Sequence, residues 1–137
     1  MENKIHFQLT TADGAVCDEM VNYVGLPLAD GDAGILAGHA AMIASLREGV
    51  IKYKIDDEEH FAAVSGGVMS VADNELIVLA RSAEKAENID IARAMESEKR
   101  ARARLESKRD DLDMNRATLS LQRALAREKA YGYIHKD

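Results

Sequence analysis

Most of the chain's arginines lie in roughly its last third, at spacings that suit a helix face. Eight of the ten arginines occur there. Arg93 and Arg100 are seven residues apart and Arg123 and Arg127 are four apart, so each pair would share one side of a helix. If two helices form a hairpin that turns near residue 109, we expect Arg93 beside Arg123 and Arg127, with Arg100 further along. Like charges this close repel by about 1 kcal/mol per pair even in water, so the arrangement predicts an anion among them.

The chain offers little else that could catalyse a reaction. His6, His39, His60 and His135 have no metal-ligand spacing, and no serine or cysteine lies in a motif that would make it a nucleophile. The stretch GDAGILAG at residues 31–38 lacks the lysine and the serine or threonine that follow the last glycine of a phosphate loop, so its glycines are expected in turns. A nucleotide hydrolase is therefore the weaker interpretation, because it would need that lysine and a metal-holding carboxylate.

The charge is divided unevenly along the chain. The 137 residues carry a formal charge of -6 and are 47% hydrophobic, which is enough for a folded core and argues against nucleic-acid binding. Up to residue 83 there are five basic and thirteen acidic residues, whereas the remainder has thirteen basic and eleven acidic residues. Eight of the nine glycines and Pro27 also lie in the first part. This change in composition predicts two architectures within one chain.

Two further classes of protein are not expected. The sequence has no run of about 18 apolar residues and no leader pattern, so we expect neither a transmembrane helix nor a secretory signal. Cys17 is the single cysteine, so we expect no internal disulfide, and a reducing compartment fits.

The residue pattern indicates the fold class. Short spans such as IHFQL, in which apolar and polar residues alternate between turn residues, are typical of a small antiparallel sandwich or barrel. From Asn88, the expected N-cap, the pattern becomes helical, and aspartates between residues 110 and 113 divide it into two helices of about four turns. We therefore predict an α+β chain with a β-sandwich at residues 1–84 and an antiparallel helical hairpin at residues 85–137.

The apolar stripe on the two helices is thin. Burial of a methylene-sized group contributes about 0.8 kcal/mol, whereas ordering each residue costs about 1–2 kcal/mol of backbone entropy. We therefore expect the hairpin to need a ligand or a partner to hold one shape. The predicted seam residues are Ile91, Ala94, Met95, Ala101 and Leu105 of the first helix and Met114, Ala117, Leu121, Ala124 and Leu125 of the second.

Two long stretches resemble the ε subunit of the bacterial F-type ATP synthase. They are GDAGILAGHAAM at residues 31–42 and AVSGGVMSVADNELIVLARSAEKAENIDIARA at residues 63–94, and the arginine-rich hairpin follows them in the family's order. The resemblance implies a sandwich of about ten strands and a non-catalytic rotor subunit. It implies that the sandwich binds the γ subunit and rests on the ring of c subunits, coupling proton flow to ATP synthesis. It also implies a peripheral location on the cytoplasmic face of the bacterial cell membrane, reached only through the complex.

The resemblance also assigns a contact with the c-subunit ring. Asp32 and His39 would lie in the loop that touches the ring. The family commonly has proline where this chain has Ala37 and Ala41. The alternative, from the residues alone, is that Asp32 closes a turn and His39 packs locally.

The hairpin is implied to be regulatory. In the family, the extended hairpin lies beside γ, within the catalytic assembly of α and β subunits. Its basic residues approach acidic segments of the β subunits and restrain ATP hydrolysis, whereas the folded-down hairpin does not. The candidate inhibitory contacts here are Arg116, Arg123, Arg127 and Lys129, for which the alternative is a solvated basic face.

The stretch IDIARA at residues 89–94 matches a motif with which some family members bind ATP: Ile or Leu, Asp, two variable residues, Arg and Ala. The match implies that ATP is a regulatory ligand of the folded-down hairpin; magnesium is compatible with it but not indicated by the sequence. The alternative for the arginines is a set of ion pairs within each helix, such as Glu96 with Arg100. The implied ATP-binding residues are Glu84, Ile89, Asp90, Arg93, Ala94, Arg100, Arg123 and Arg127.

An alternative from another class is a protein-binding scaffold unrelated to ATP synthase. It would explain the fold equally well, because one fold serves many functions. It would leave the ordered match to the ε subunit as a coincidence.

Overall fold

The computed structural model describes residues 3–107 and 111–135, with side chains in the second range from residue 114. Within these residues it contains eight β-strands, a short 3₁₀ helix at Ala86–Asn88 and two α-helices. The strands are β1 (Ile5–Thr11), β2 (Gly14–Val21), β3 (Tyr23–Leu28), β4 (Gly31–Ile35), β5 (Met42–Leu46), β6 (Gly49–Ile55), β7 (Glu58–Ala72) and β8 (Glu75–Lys85), and the helices are α1 (Ile91–Ser107) and α2 (Asp111–Ile134).

The strands form a sandwich whose two layers share the long strands β7 and β8. The strand order is β2-β1-β8-β7-β5-β3-β4, and β6 pairs with both β3 and β7. The first part of β7 pairs with β6 and its last part pairs with β5, so the two halves of this strand belong to different layers. Phe7, Leu9 and Ile51 are among the fully buried side chains that fill the space between the layers. The predicted sandwich followed by a helical hairpin is confirmed.

Two details of the sandwich differ from the prediction. β1 pairs in parallel with β8, so the sandwich is not wholly antiparallel; alternation of apolar residues does not report the direction of a neighbouring strand. The described residues contain eight strands, whereas the resemblance implies about ten. SGG at residues 65–67 lies inside the single strand β7. Gly66 and Gly67 have φ values of 62° and 122° and allow β7 to bend between the layers.

Asp90, and not Asn88, caps the first helix. The backbone N–H of Arg93 donates a hydrogen bond to Asp90 Oδ1 over 3.2 Å, which is the third-residue contact of an N-cap. Asn88 instead ends the preceding 3₁₀ helix. Both residue types are good caps, so the sequence pattern could not decide between positions two residues apart.

The two helices contact each other through alanines. Ala94 and Ala101 of α1 and Ala117 and Ala124 of α2 are each at most 1% exposed. Alanines seven residues apart return to nearly the same side of a helix and allow two backbones to approach closely. The larger residues predicted for the seam are less buried than the alanines: Met95 is 56% exposed and Leu125 is 39% exposed, and the others, Ile91, Leu105, Met114 and Leu121, are half-buried. The seam is therefore narrower than predicted.

The hairpin is folded down on the sandwich through α2, which contacts β6, β7 and the 3₁₀ helix. The rings of Phe61 and Tyr133 stack with their centroids 4.5 Å apart. A second apolar cluster surrounds this stack and is separate from the sandwich core. Its buried members, here called the docking cluster, are Phe61, Ala63, Ala86, Ile89, Ala126 and Ala130.

Glycine-to-alanine substitutions in β7 and in α2 are expected to have opposite effects on the free energy of unfolding. A Cβ atom at Gly67 would overlap the carbonyl group of Leu79 and lie 2.7 Å from Ala80 Cα, so we expect Gly67→Ala to lower the free energy of unfolding by about 2 kcal/mol or more. Gly132 lies in α2 with no atom within 4 Å of an added Cβ, so we expect Gly132→Ala to raise that free energy by up to about 1 kcal/mol. Urea unfolding followed by circular dichroism measures both. Equal stability of the parent and Gly67→Ala would contradict this account of the bend.

Candidate functional site

A shallow groove of about 270 Å³ runs between the two helices. Its floor is formed by the seam residues Ala101 and Ala124. Within the part of the chain that the structure describes, no carboxylate lines this groove. We call it the arginine groove, and its remaining lining residues are Ser97, Arg100 and Arg104 of α1 and Ser120, Arg123 and Arg127 of α2.

Two of the arginines also attach α2 to the sandwich. Arg127 Nε donates to Glu84 Oε1 over 3.1 Å, and Arg123 Nε donates to the Ser65 hydroxyl over 2.7 Å. Ser65 is 3% exposed and in turn donates to Glu48 Oε2 over 3.2 Å. A guanidinium group has five N–H donors, so each arginine keeps four donors beyond its Nε bond. These two side chains therefore link the groove to the folded-down position of the hairpin.

The structure brings together only part of the implied ATP-binding set. Arg100, Arg123 and Arg127 line the arginine groove, but Arg93 does not. Whether Arg93 joins Arg123 and Arg127, with Arg100 further along, stays a prediction; the groove shows only that Arg100 shares a lining with Arg123 and Arg127.

The IDIARA residues have structural roles at the start of α1. Ile89 is 7% exposed and belongs to the docking cluster, and Ala94 is fully buried in the seam. Asp90 caps α1, while Glu84 holds Arg127. These contacts join the sandwich, the groove and the first turn of α1, so the motif lies where the hairpin meets the sandwich.

Arg104 and the two serines of the groove were not predicted from the sequence. The position of Arg104 could have been predicted, because Arg104 follows Arg100 by four residues and so shares its side of α1. The serines gave no such signal, since a hydroxyl on a helix carries no spacing pattern. Their place in the groove follows from the register of the two helices.

Asp32 and His39, predicted to lie in one loop against the c-subunit ring, are in different elements. Asp32 lies in β4, where its Oδ1 accepts from Arg47 Nη2 over 2.7 Å. His39 lies in the connection between β4 and β5, with its Nδ1 2.6 Å from the carbonyl oxygen of Ala40. The placement of both residues in one loop is therefore wrong, because the strand pairing of β4 begins at Gly31.

The remaining candidate inhibitory residues lie on the outside of α2. Arg116 is exposed. Lys129 lines a wider groove of about 900 Å³ between α2 and the strands β3, β4 and β6. Thus two of the four candidate contacts, Arg123 and Arg127, are engaged within this chain, and the other two are open to solvent.

An apolar surface on the sandwich was also not predicted. Ile43 and Ile77 are both opposite Ser70, and Val68 is opposite Leu79, so these side chains share one face of the layer formed by β8, β7 and β5. Ile43 is 80% exposed and Leu79 is 53% exposed. We call Ile43, Val68, Ile77 and Leu79 the outer apolar face. Exposed apolar surface of this kind is typical of interaction sites.

Two glutamates meet across the helical hairpin. The carboxyl group of Glu98 on α1 lies against that of Glu128 on α2, whose Oε2 is buried with no other hydrogen-bond partner among the described residues, and Arg102 Nε donates to Glu98 Oε2 over 2.7 Å. Burial, followed by the hydrogen bond and the charge of Glu98, raises the pKa of Glu128 to about 7. The bonds from Glu128 and Arg102 lower the pKa of Glu98. Glu128 therefore holds the shared proton over the acidic range.

Neither a metal centre nor a membrane span is found in residues 3–107 and 111–135. No group of three His, Cys, Asp or Glu side chains there could hold a metal ion. No helix in these ranges is long and apolar enough to cross a membrane.

Two family models match nearly the whole chain. The β-sandwich domain of the ATP synthase delta/epsilon chain matches residues 4–86, and its long α-helix domain matches residues 87–132. The fold and the helical hairpin thus define a chain of the ATP synthase delta/epsilon class. The models meet after residue 86, whereas the predicted domain boundary after residue 84 stays a prediction.

Individual relatives narrow this class. The chain is 43% identical over 105 residues to the ATP synthase epsilon chain of Nitratidesulfovibrio vulgaris strain DP4, covering 77% of this chain and 78% of the relative. It is 44% identical over 120 residues to the ATP synthase epsilon chain of Symbiobacterium thermophilum, and the match covers 88% of this chain and 86% of that relative. The chain belongs to the family of F-type ATP synthase epsilon chains. The resemblance found in the sequence is confirmed.

Solved structures show the same fold. The cryo-EM structure of the Euglena gracilis mitochondrial ATP synthase, which covers OSCP, F1 and the c-ring, contains a similar chain. It matches with a TM-score of 0.82 at 24% identity, over 93% of this chain and 81% of that chain. A chain from the Tetrahymena thermophila mitochondrial ATP synthase matches with a TM-score of 0.61 at 13% identity, over 92% and 95%.

The Glu98–Glu128 pair predicts that the hairpin loses stability as the pH rises. Between the usual glutamate pKa of 4.5 and about 7, the folded chain keeps a proton on Glu128 that the unfolded chain releases, so stability falls with increasing pH in this window. We expect the melting temperature of the helical signal to fall between pH 5 and pH 8. Glu128→Gln should flatten this dependence, because the amide still donates a hydrogen bond to Glu98 without titrating.

The quantity compared is the slope of melting temperature against pH in the parent and in Glu128→Gln. His6 adds a slope of the same sign, since its hydrogen bond to Asp18 raises its pKa, but that contribution is common to both proteins. Glu96→Gln, at an exposed position of α1, is the matched control and should keep the parent's slope. A slope that Glu128→Gln leaves unchanged would contradict the shared proton.

Proposed function

We propose that this chain is a non-catalytic subunit of the central stalk of a bacterial ATP synthase, coupling proton flow to ATP synthesis. Its sandwich binds the γ subunit and the ring of c subunits on the cytoplasmic face of the cell membrane. Its hairpin restrains ATP hydrolysis at the α and β subunits and is controlled by ATP. The folded-down hairpin carries this proposal, because Arg123 and Arg127 are held by Ser65 and Glu84 and cannot reach another subunit in that state.

The outer apolar face supports binding to the γ subunit. Its four side chains lie on β5, β7 and β8, whereas α2 packs against the opposite side of the sandwich. A γ subunit could therefore stay bound there while the hairpin changes position. For the c ring, half-buried His39 remains the candidate, whereas Asp32 is tied to Arg47.

Inhibition follows from releasing the two engaged arginines. When α2 leaves the sandwich, Arg123 and Arg127 lose Ser65 and Glu84 as partners and become available to acidic segments of the catalytic β subunits. Arg116 and Lys129 are exposed already and would join them. The brake is thus a competition between partners inside and outside the chain.

Control by ATP follows from the charge of the arginine groove. A triphosphate would neutralise its guanidinium groups and bind only while α1 and α2 are side by side. A ligand that binds one state at 100 times its Kd stabilises that state by about 2.7 kcal/mol. ATP would therefore favour the folded-down hairpin and relieve inhibition when ATP is plentiful.

The alternatives are disfavoured by different observations. A scaffold unrelated to ATP synthase does not account for the match to both epsilon-chain domains. A nucleotide hydrolase would need a metal-holding carboxylate beside the phosphates, and the described lining of the arginine groove contains none.

The brake is tested by removing the hairpin. We expect deletion of residues 88–137 to raise ATP hydrolysis by the reconstituted complex severalfold, because the inhibitory element is gone, while γ binding and ATP synthesis persist. Hydrolysis is measured in a coupled assay, with synthesis by the same complex as the control for intact assembly. Unchanged hydrolysis with normal synthesis would show that the hairpin is not a brake.

The ATP site is tested by calorimetry on the full chain. We expect the parent to bind ATP and both Arg93→Ala and Arg123→Ala to weaken that binding about tenfold or more, since each removes a charge-assisted contact. Arg93 is the sharper test, because it lies outside the arginine groove when no nucleotide is bound. No heat of binding with the parent, or equal affinity in all three proteins, would remove the site.

A further inference from the structure

The Glu98–Glu128 pair joins the two helices through two acidic groups. Glu128 is half-buried in α2, and its Oε2 is buried with no hydrogen-bond partner among the described residues. Its carboxyl group lies against that of Glu98 on α1. An ionised carboxylate only accepts hydrogen bonds, so these two groups can bond to each other only when one of them carries a proton. Without that proton, a buried oxygen without a partner would face a like charge.

The charged groups that act on Glu128 among the described residues both lie on α1. They are Glu98 and Arg102. Arg102 Nε donates to Glu98 over 2.7 Å, so its main partner is the other carboxyl group of the pair. The sandwich and the 3₁₀ helix, which pack against α2 on another side, add no charged group to these two. The residues three and four positions from Glu128 along α2 are also uncharged at neutral pH: Ala124, Leu125, Tyr131 and Gly132.

The pair lies at the level of α2 that docks on the sandwich. Arg127, next to Glu128, donates to Glu84 over 3.1 Å. Ala126 and Ala130, on either side of Glu128, belong to the docking cluster. One short segment of α2 therefore contacts α1 through Glu128 and the sandwich through the neighbouring residues. Repulsion at Glu128 would act on the segment that holds the hairpin in its folded-down position.

We propose that the Glu98–Glu128 pair is a proton switch that makes the restraint of ATP hydrolysis depend on pH; this rests on the proposed function of the hairpin. With the proton bound, α1, α2 and the sandwich stay together, and hydrolysis is not restrained. With the proton lost, two carboxylates repel each other between the helices, the hairpin opens, and Arg123 and Arg127 become available to the β subunits. An acidic cytoplasm would thus permit ATP hydrolysis, which exports protons when the coupled reaction runs in reverse.

The switch operates near neutral pH. The pKa of Glu128 is raised from 4.5 to about 7 while the two helices are together, so the closed hairpin binds the proton more tightly than the open one. The closed state is therefore favoured at low pH and loses this advantage as the pH rises through about 7. Between pH 6 and pH 8 the ratio of closed to open hairpins should fall by about tenfold.

The experiment measures ATP hydrolysis by the reconstituted complex at pH 6 and at pH 8, at a limiting ATP concentration. Each rate is divided by the rate of a complex lacking residues 88–137 at the same pH, which cancels the pH dependence of catalysis itself. We expect the ratio for the parent to fall severalfold from pH 6 to pH 8. Glu128→Gln should give a ratio near one at both, because the amide donates to Glu98 at every pH. Glu96→Gln, at an exposed position of α1, is the matched control and should fall as the parent does.

A second measurement records the conformation of the isolated full chain without nucleotide. Double electron–electron resonance between spin labels at exposed positions 57 and 122 gives the distance from the sandwich to α2. The folded-down fraction should be larger at pH 6 than at pH 8 in the parent and in Glu96→Gln. In Glu128→Gln it should be the same at both values of pH.

The outcomes separate the proton switch from the restraint of hydrolysis itself. If removal of residues 88–137 changes hydrolysis at neither pH, both the restraint and the switch are overturned. If the restraint is present but equal at pH 6 and pH 8, the proposed function stands and the switch is overturned. The switch is also overturned if Glu128→Gln keeps the parent's dependence on pH, or if the folded-down fraction of the parent is the same at both values.

Discussion

The contact between α2 and the sandwich is the interaction on which the rest of the arrangement depends. It consists of a ring stack, a few alanines and two arginine hydrogen bonds. The stack contributes about 0.5–1.5 kcal/mol beyond its buried area, and a partly exposed ion pair such as Arg127 with Glu84 contributes about 0.2–1 kcal/mol. These terms are comparable to the few kcal/mol that a saturating ligand supplies. A contact of this strength is one that a nucleotide or a neighbouring subunit can shift.

Charge and packing have opposite effects on the hairpin. Its alanine seam lets α1 and α2 approach closely, and this closeness brings four guanidinium groups around one groove. The repulsion is partly relieved on the sandwich side, where Glu84 and Ser65 hold two of them. An anion in the groove would relieve the rest. The same closeness brings Glu98 and Glu128 together, so that one shared proton stabilises the seam on its other side.

Patterns that are local in the sequence predicted well, and features that depend on register did not. Alternation in β1 and the helical spacing after Asn88 identified the sandwich and the hairpin, because each signal arises within one element. The resemblance implied about ten strands, whereas the described residues contain eight and β7 continues through Gly66 and Gly67. Which arginines share one groove likewise depends on how α1 and α2 pack against each other, and no pattern within a single helix reports it. Ser65, Ser120 and the outer apolar face came together only through tertiary structure.

The central claim is that the folded-down hairpin is one of two states and that ATP selects it. The most direct measurement is the distance between spin labels at exposed positions 57 and 122, on the β6–β7 turn and on α2, with buried Cys17 replaced by alanine. Double electron–electron resonance should give a broad or two-component distribution without nucleotide and a single narrow one, at the folded-down distance, with saturating ATP. Identical distributions with and without bound ATP would contradict the account.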